Sequence, residues 1–362
     1  MKISILSSEI GIISSGQSRF TINLAKGLRE LGVDVSVYCA YASDETVTSL
    51  QRDGISIEPL GLNTSSRLYK ALLLTRFNNV GKKVAALSLS RASSDWYVVL
   101  SDELIGAVSE LSDVRTVHIS NGNLALLFLN PNLFRGTPLL FHLLSLGMAS
   151  RLREGSRFAK LYDVMLGNSR FTCGFMSYVY GRPFDGILYP PVNTRVFRKT
   201  SEVKGKYCLV LARNSSEQNL EIVRLLAREI PIRVVGGARI QGCESLGKVS
   251  DAALASLYAA ARVVLYPTVS EFFGYAVAEA LCCGTPVITF ANGGGPSEMI
   301  QNGVNGWLCS RVSDFVEQSR TVYNGAYLDL DPKSIVNSAA GYSMEAVARN
   351  LLMMLRVSAT GE

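Results

Sequence analysis

The residues from Ala261 to Gly284 constrain this chain more than any others. An apolar, β-rich run, Ala261-Arg262-Val263-Val264-Leu265-Tyr266, passes through Pro267 into Ser270-Glu271-Phe272-Phe273-Gly274-Tyr275-Ala276-Val277-Ala278-Glu279-Ala280-Leu281-Cys282-Cys283-Gly284. The pattern predicts a strand, a tight loop, and a helix from about Phe273 that Gly284 stops. Eight helical steps from Glu271 to Glu279 turn roughly 800°, leaving the two carboxylates within about 80° of each other and on the order of 12 Å apart along the axis. Carboxylate pairs that cleave a glycosidic bond stand roughly 5 to 9.5 Å apart, so this spacing excludes that chemistry. Two acids flanking a helix N-terminus, whose free amides attract phosphate, suit a long ligand with hydroxyls at both ends and phosphate in the middle. A nucleotide-sugar has that form.

The same alternation recurs from the start of the chain. Ile3 to Leu6 reads as a buried strand, followed by a loop with Ser14-Ser15-Gly16-Gln17. Phe20, Leu24, Leu28 and Leu31 then recur at helical spacing up to Gly32, and Val33 to Tyr38 reads as the next strand. Gly16, just before that helix, lets a backbone approach a phosphate. Trp96 to Leu100 reads as a strand with Asp102-Glu103 at its carboxyl end, and Arg115 to Ile119 as another that runs into His118-Ile119-Ser120-Asn121-Gly122. At the carboxyl edge of a parallel sheet His118 would face the crevice where such folds bind ligands. Tyr207 to Leu211 and Ile232 to Val235 are further strands, and Ser250 is a helix N-cap. Pro190 and Pro191 stiffen the join of the two halves, and the polar stretch from Lys199 to Lys206 reads as a linker.

At 362 residues there is room for two domains. Net charge is +6, but residues 1–200 hold 22 Lys+Arg against 15 Asp+Glu, and residues 201–362 hold 14 against 15, so the excess lies in the first half. A basic half without repeated aromatic–arginine motifs argues for an acidic membrane surface or a phosphate-bearing substrate and against nucleic acid. Seven cysteines without a C-x-x-C pair, and only two histidines, read as free thiols of a reducing compartment with no metal site. Met1 to Leu6 reads as a first core strand and not a secretory leader, since Glu9 interrupts the apolar run. No run reaches the roughly 18 apolar residues that a spanning helix needs. The most apolar short stretch, Pro138 to Met148, runs into Arg151, Arg153, Arg157 and Lys160. It admits two readings, a buried helix or a segment lying at a lipid surface.

The ordered set Glu271, Phe273-Gly274, Glu279, Ala280, Gly284-Thr285-Pro286-Val287-Ile288, Gly293-Gly294-Gly295, Glu298 and Asn302-Gly303-Val304-Asn305-Gly306 resembles the donor-site signature of GT4-type (glycosyltransferase group 1) retaining glycosyltransferases. Val164 to Thr172, with its Asn168-Ser169 strand end, and Leu188 to Phe197 resemble other parts of the same family. The resemblance implies an α/β GT-B fold of two doubly wound Rossmann-like domains facing a central cleft: residues 1–190 on the acceptor side, joined by a returning helix at 343–362, and a donor domain at 191–342. It implies transfer of a sugar from a UDP-, GDP- or ADP-sugar to a glycan or lipid-linked acceptor, with retention, no cofactor and no metal; the reducing compartment read from the thiols is the cytoplasm, and the basic first half suggests a lipid-phosphate-linked acceptor at the cytoplasmic membrane face. By the resemblance Glu271 holds sugar hydroxyls near the reacting carbon, Glu279 the ribose, His118 the far side of the sugar and Gly16 the diphosphate. Phe272, Phe273, Gly274 and Tyr275 line the donor, and Lys248 and Val249 lie near the base. Arg213 stabilises the leaving diphosphate.

Two departures from the pattern stand out. The usual glycine pair of the first loop is Ser15-Gly16 here, and Gln218 stands where the family has a lysine. A glutamine donates only a neutral hydrogen bond, weaker than a charge-assisted one. A donor-binding subunit that has lost catalysis is therefore the alternative to an active transferase. An epimerase or phosphorylase on a similar fold leaves the ordered signature unexplained.

Overall fold

The computed structural model describes residues 1–10, 16–61, 67–91, 93–122, 153–200, 204–212 and 218–360. Arg213 and the apolar stretch Pro138 to Met148 lie outside them. The chain divides into two compact units: unit 1 is Met1–Pro191 with Met344–Glu362, and unit 2 is Val192–Ser343. The polar stretch read as a linker belongs to unit 2. Lys204 packs into it, its Nζ donating to Ala259 O (3.0 Å) and Thr285 Oγ1 (2.9 Å), so this lysine satisfies buried acceptors instead of spacing domains.

Unit 1 is built on a seven-stranded sheet of β1 (Lys2–Ile10), β2 (Asp34–Ala42), β3 (Ser56–Pro59), β4 (Trp96–Leu100), β5 (Thr116–Ser120), β6 (Val164–Gly167) and β7 (Gly186–Ile187). Their order is β3-β2-β1-β4-β5-β6-β7, and each neighbouring pair is parallel. Every residue of β4 and β5 is buried, as expected for parallel strands covered on both faces. On one face lies α1 (Gly16–Glu30), which buries Phe20, Leu24 and Leu28 four residues apart. Helices α2 (Asp44–Arg52) and α3 (Arg67–Arg91) follow, and a 3₁₀ segment, Asp102–Glu110, leaves β4. Helix α4 (Arg170–Tyr180) is capped by Ser169, whose side chain accepts from Thr172 N, and stops at Gly181 in the left-handed region.

Unit 2 repeats the plan with six parallel strands, β8 (Cys208–Ala212), β9 (Ile232–Gly236), β10 (Glu244–Gly247), β11 (Val263–Tyr266), β12 (Val287–Phe290) and β13 (Gly306–Cys309), in the order β10-β9-β8-β11-β12-β13. Its core gathers Val234, Val263, Leu265, Ile288, Phe290 and Phe315. The helices are α5 (Leu220–Leu226), α6 (Asp251–Ala260), α7 (Tyr275–Cys282), α8 (Gly295–Glu298), α9 (Val312–Tyr323) and α10 (Pro332–Ser338). The predicted cap is present: Ser250 Oγ accepts from Ala253 N (3.3 Å) at the start of α6.

The last helix, α11 (Met344–Thr360), returns to unit 1, where Val347, Ala348, Leu351 and Leu355 join the core that holds α1. Gly27 makes the approach possible, since a Cβ there would stand 2.9 Å from the Met344 carbonyl carbon and 3.2 Å from Ala348 Cβ. Among the described residues no helix is long and apolar enough to cross a membrane.

Candidate functional site

In a sheet of this order the ligand crevice lies beyond the carboxyl ends of the strands at the point where the order reverses. In unit 2 that point is β8/β11. From β11 the chain passes Pro267 and Thr268 to Ser270, whose φ of +56° is unusual for a residue with a side chain. Glu271 follows and is pinned on both sides of its peptide. Its N–H donates to Gly293 O (3.0 Å) and its carbonyl accepts from Gly295 N (2.8 Å), forming a parallel bridge to Gly294. Tyr266 Oη donates to Glu271 Oε2 at 3.3 Å, and the residue is half-buried. The carboxylate is thus held by a backbone bridge and a phenol, on a loop with little freedom to swing.

The glycine run opposite is what lets the loop sit so close. A Cβ at Gly295 would stand 2.7 Å from Phe273 Cα and 2.8 Å from the Phe272 carbonyl carbon. Gly274 then turns the chain into α7 with φ +85°, and Tyr275 begins the helix. The break changes the geometry expected from sequence. Glu271 lies on a bridged loop before the left-handed turn, so the helical arithmetic that related it to Glu279 does not apply.

Glu279 sits inside α7, a helix whose residues from Ala276 to Cys282 are all buried. It is 2 % exposed, and Tyr258 Oη donates to its Oε2 at 3.2 Å. The neighbouring thiols feel it: burial first, and then the Glu279 charge, push Cys282 up to about 12. Phe272 and Phe273 are each 4 % exposed, and the Phe273 ring meets Tyr275 edge-on at 5.1 Å and Tyr342 at 6.1 Å. Both phenylalanine side chains are therefore core of unit 2.

On the other side of the reversal point, Gln218 is buried and its Nε2 donates to Leu211 O (3.1 Å), turning the carboxamide back to β8. Asn219 ties the two loops together through Nδ2 to Pro267 O (3.0 Å). Lys248 is exposed and Val249 half-buried, immediately before the Ser250 cap. The structure thus brings Glu271, Phe272, Phe273, Gly274, Tyr275 and Gln218 to the carboxyl edge of this sheet and leaves Lys248 on a surface turn. Tyr266, which the sequence offered only as the last residue of a strand, is the partner that orients Glu271.

In unit 1, Gly16 is exposed at the first position of α1. His118 is not at a ligand-facing edge. It lies in the middle of β5 and is 0 % exposed, with its ring 5.1 Å from Tyr162 and 6.2 Å from Tyr180. The reason is the period of two along a strand: Val117 and Ile119 face the core shared with α1, and His118 faces the opposite layer. It belongs to a buried cluster centred on Asp102, whose Oδ1 accepts from Ser120 Oγ (2.7 Å), Tyr180 Oη (2.8 Å) and His118 Nε2 (3.4 Å). Burial by itself would raise the Asp102 carboxyl; His118, then the bonds from Ser120 and Tyr180, more than reverse this and hold it below the usual carboxylate range.

Residues 240–329 match the family described as glycosyl transferases, group 1. The D-inositol 3-phosphate glycosyltransferase of Actinosynnema mirum is 33% identical over 129 residues, covering 34% of this chain and 31% of that protein. The protein of the same name from Kribbella flavida is 35% identical over 114 residues, 29% of this chain and 25% of its own. The chain thus matches less than a third of the length of these curated relatives. Over the whole chain the fold is shared with Anabaena HepE in complex with UDP and glucose (TM-score 0.73, 17% identity, 98% of this chain and 99% of that one). It is shared also with the sucrose-phosphate synthase of Thermosynechococcus elongatus (TM-score 0.78, 14% identity, 100% of each).

Proposed function

We propose, from a group 1 glycosyltransferase segment at residues 240–329 set in a GT-B fold of two Rossmann-like units, that this chain transfers a hexosyl group from a nucleotide-sugar to an acceptor hydroxyl. The observation that carries the reading is the Glu271 loop, bridged to Gly293–Gly295 and oriented by Tyr266 at the reversal point of the donor-side sheet. In the reaction the bond from the anomeric carbon to the diphosphate breaks and a bond to the acceptor oxygen forms, with retention. The nucleoside diphosphate leaves and the acceptor proton is released.

Glu271 accepts hydrogen bonds from sugar hydroxyls, and a pinned carboxylate keeps its orientation as the bond stretches. The first-turn amides of α7 and Arg213 take up the negative charge that grows on the diphosphate, without a metal. Glu279, charge-buried beside Tyr258, serves the ribose or holds α7 in place. The UDP bound by HepE makes UDP-sugars the first donors to test. The relatives named for D-inositol 3-phosphate make a phosphorylated polyol the first acceptor. Lipid-linked acceptors at a cytoplasmic membrane face suit the basic first half, in which Arg157 and Lys160 are exposed.

A second reading, a donor-binding subunit without turnover, is favoured by one observation: Gln218 carries no charge and its carboxamide is engaged with Leu211 O. Nucleotide release across UDP-, GDP- and ADP-sugars decides between them. The transferase reading expects release from one donor that falls at least about tenfold in Glu271→Ala, the worth of a hydrogen bond to a charged group. Donor binding without release in the wild type, with release appearing in Gln218→Lys, selects the subunit reading. Donor binding and release both absent would sink the proposal.

A further inference from the structure

Parallel strands place all their amino ends along one edge, and in unit 2 this is the edge opposite the one that carries Glu271. Cations gather there. Lys206 precedes β8, Arg233 is the second residue of β9 and Arg262 precedes β11. A cavity of about 300 Å³ opens between the starts of β8, β9 and β10, with Lys206, Tyr207, Arg233 and Glu244 among the residues that line it. That volume is at the lower end of the range that small-molecule sites occupy.

The strands set its walls. Arg233 and Glu244 are register partners on β9 and β10, and Arg233 Nε donates to Glu244 Oε2 at 2.8 Å. The guanidinium also lies over the Tyr207 ring, 4.3 Å from its centroid. That ring is buried and its Oη donates to Leu257 O (2.9 Å), so the platform under the guanidinium is fixed. An arginine has more N–H donors than Glu244 and Tyr207 together use, and those that remain form a planar fork suited to an oxyanion. Lys206 is exposed and, among the described residues, has no ion pair, while its carbonyl accepts from Tyr323 Oη at 3.4 Å. The Arg262 guanidinium stacks on the same Tyr323 ring at 4.6 Å, without an acid partner among the described residues, and adds to the positive field. An exposed Arg–Glu pair on an edge strand accounts for Arg233 and Glu244 alone. It leaves the cavity and the unpaired Lys206 unexplained.

We propose that this cavity is a second ligand site of unit 2, for a phosphorylated polyol. The phosphate accepts from the Arg233 fork and from Lys206 Nζ, and a hydroxyl of the ligand donates to Glu244. Glu244 decides the class. Two lining cations against one lining acid leave a net charge of +1, which favours a single phosphate, while the carboxylate repels a second anion and so disfavours a nucleoside diphosphate. The strands of β8 and β9, five residues each, separate the cavity from the Glu271 edge, so its occupant is not the donor and the inference is independent of the transfer reading.

The full chain is titrated calorimetrically with D-glucose 6-phosphate, D-mannose 6-phosphate and glycerol 3-phosphate, with D-glucose and inorganic phosphate as partial ligands, and separately with UDP. The wild type should bind at least one of the three phosphorylated polyols, about tenfold or more tighter than either partial ligand. Lys206→Ala, at an exposed side chain, should weaken that binding about tenfold, and Glu244→Gln should narrow the preference for the polyol over inorganic phosphate. UDP affinity should be the same in both variants. No binding of any of the three, or binding that Lys206→Ala leaves intact, overturns the proposal. So does a phosphorylated polyol held no tighter than inorganic phosphate, or a preference that Glu244→Gln leaves unchanged. Should the wild type ignore UDP and still bind a phosphorylated polyol that Lys206→Ala releases, the donor reading fails and this site stands.

Discussion

Replacing Gly295 by alanine attacks the loop that holds Glu271 without touching any polar side chain. The new Cβ would stand 2.7 Å from Phe273 Cα, and ordinary contact begins near 3.4 Å, so backbone must move by about 0.7 Å. Both neighbours are main chain and Phe272 and Phe273 are core, so no flexible side chain can yield instead. Overpacking of this kind costs about 1–3 kcal/mol. Weakening the Gly295 N to Glu271 O bond adds about 1 kcal/mol. A total near 3 kcal/mol lowers Tm by roughly 6–12 °C for a unit of this size. The shift also exceeds the roughly 0.5 Å within which a binding constellation must be held, so UDP should lose its stabilising effect. Scanning fluorimetry with and without UDP reads both quantities. Gly237→Ala is the control, because nothing lies within 4 Å of its Cβ. A Gly295→Ala protein that melts within about 2 °C of the wild type and still responds to UDP would refute the account of the bridge.

Asp102 gives a pH signature. Its folded pKa is depressed, so its stabilisation is present in full above the ordinary value near 3.9 and is lost as pH falls through the lower folded value. Asp102→Asn should cost roughly 1–3 kcal/mol at neutral pH and flatten the acid limb of Tm against pH; an unchanged limb contradicts the assignment. The seven thiols should divide by burial. Cys39 and Cys208 are pushed up to about 12 and Cys309 to about 11 by burial, and Cys282 and Cys283 are buried with them. Only Cys173 and Cys243 are half-exposed, so a thiol reagent at pH 8 should modify two sites rapidly in native protein. Rapid modification of five or more would contradict the packing.

Much of the fold was legible because parallel strands covered on both faces are continuous apolar runs. Trp96 to Leu100 was read to the residue, and Val263 to Tyr266 was contained in the strand read at Ala261 to Tyr266. What failed depended on direction and not on composition. His118 was placed at an edge because it precedes Ser120-Asn121-Gly122, yet the alternation of its own strand turns it inward. Lys204 looked like linker because a sequence does not distinguish a lysine in water from one donating to buried oxygens. The relation of Glu271 to Glu279 was computed along one helix, whereas Gly274 interrupts the path with a left-handed residue. The bridge that positions Glu271 joins residues more than twenty apart, and no local pattern announces it.

Because α11 completes the core of unit 1, that unit is assembled from two segments that flank unit 2, and unit 2 is an insertion in it. The two crossings are neighbours, with Val192 N donating to Tyr342 O at 2.7 Å beside a bridge from Val192 to Ser343. During synthesis, the face of α1 that carries Gly27 must then stay uncovered while all of Val192–Ser343 is translated. Unit 2, although it is translated after β1–β7, has all of its strands available before unit 1 receives its closing helix.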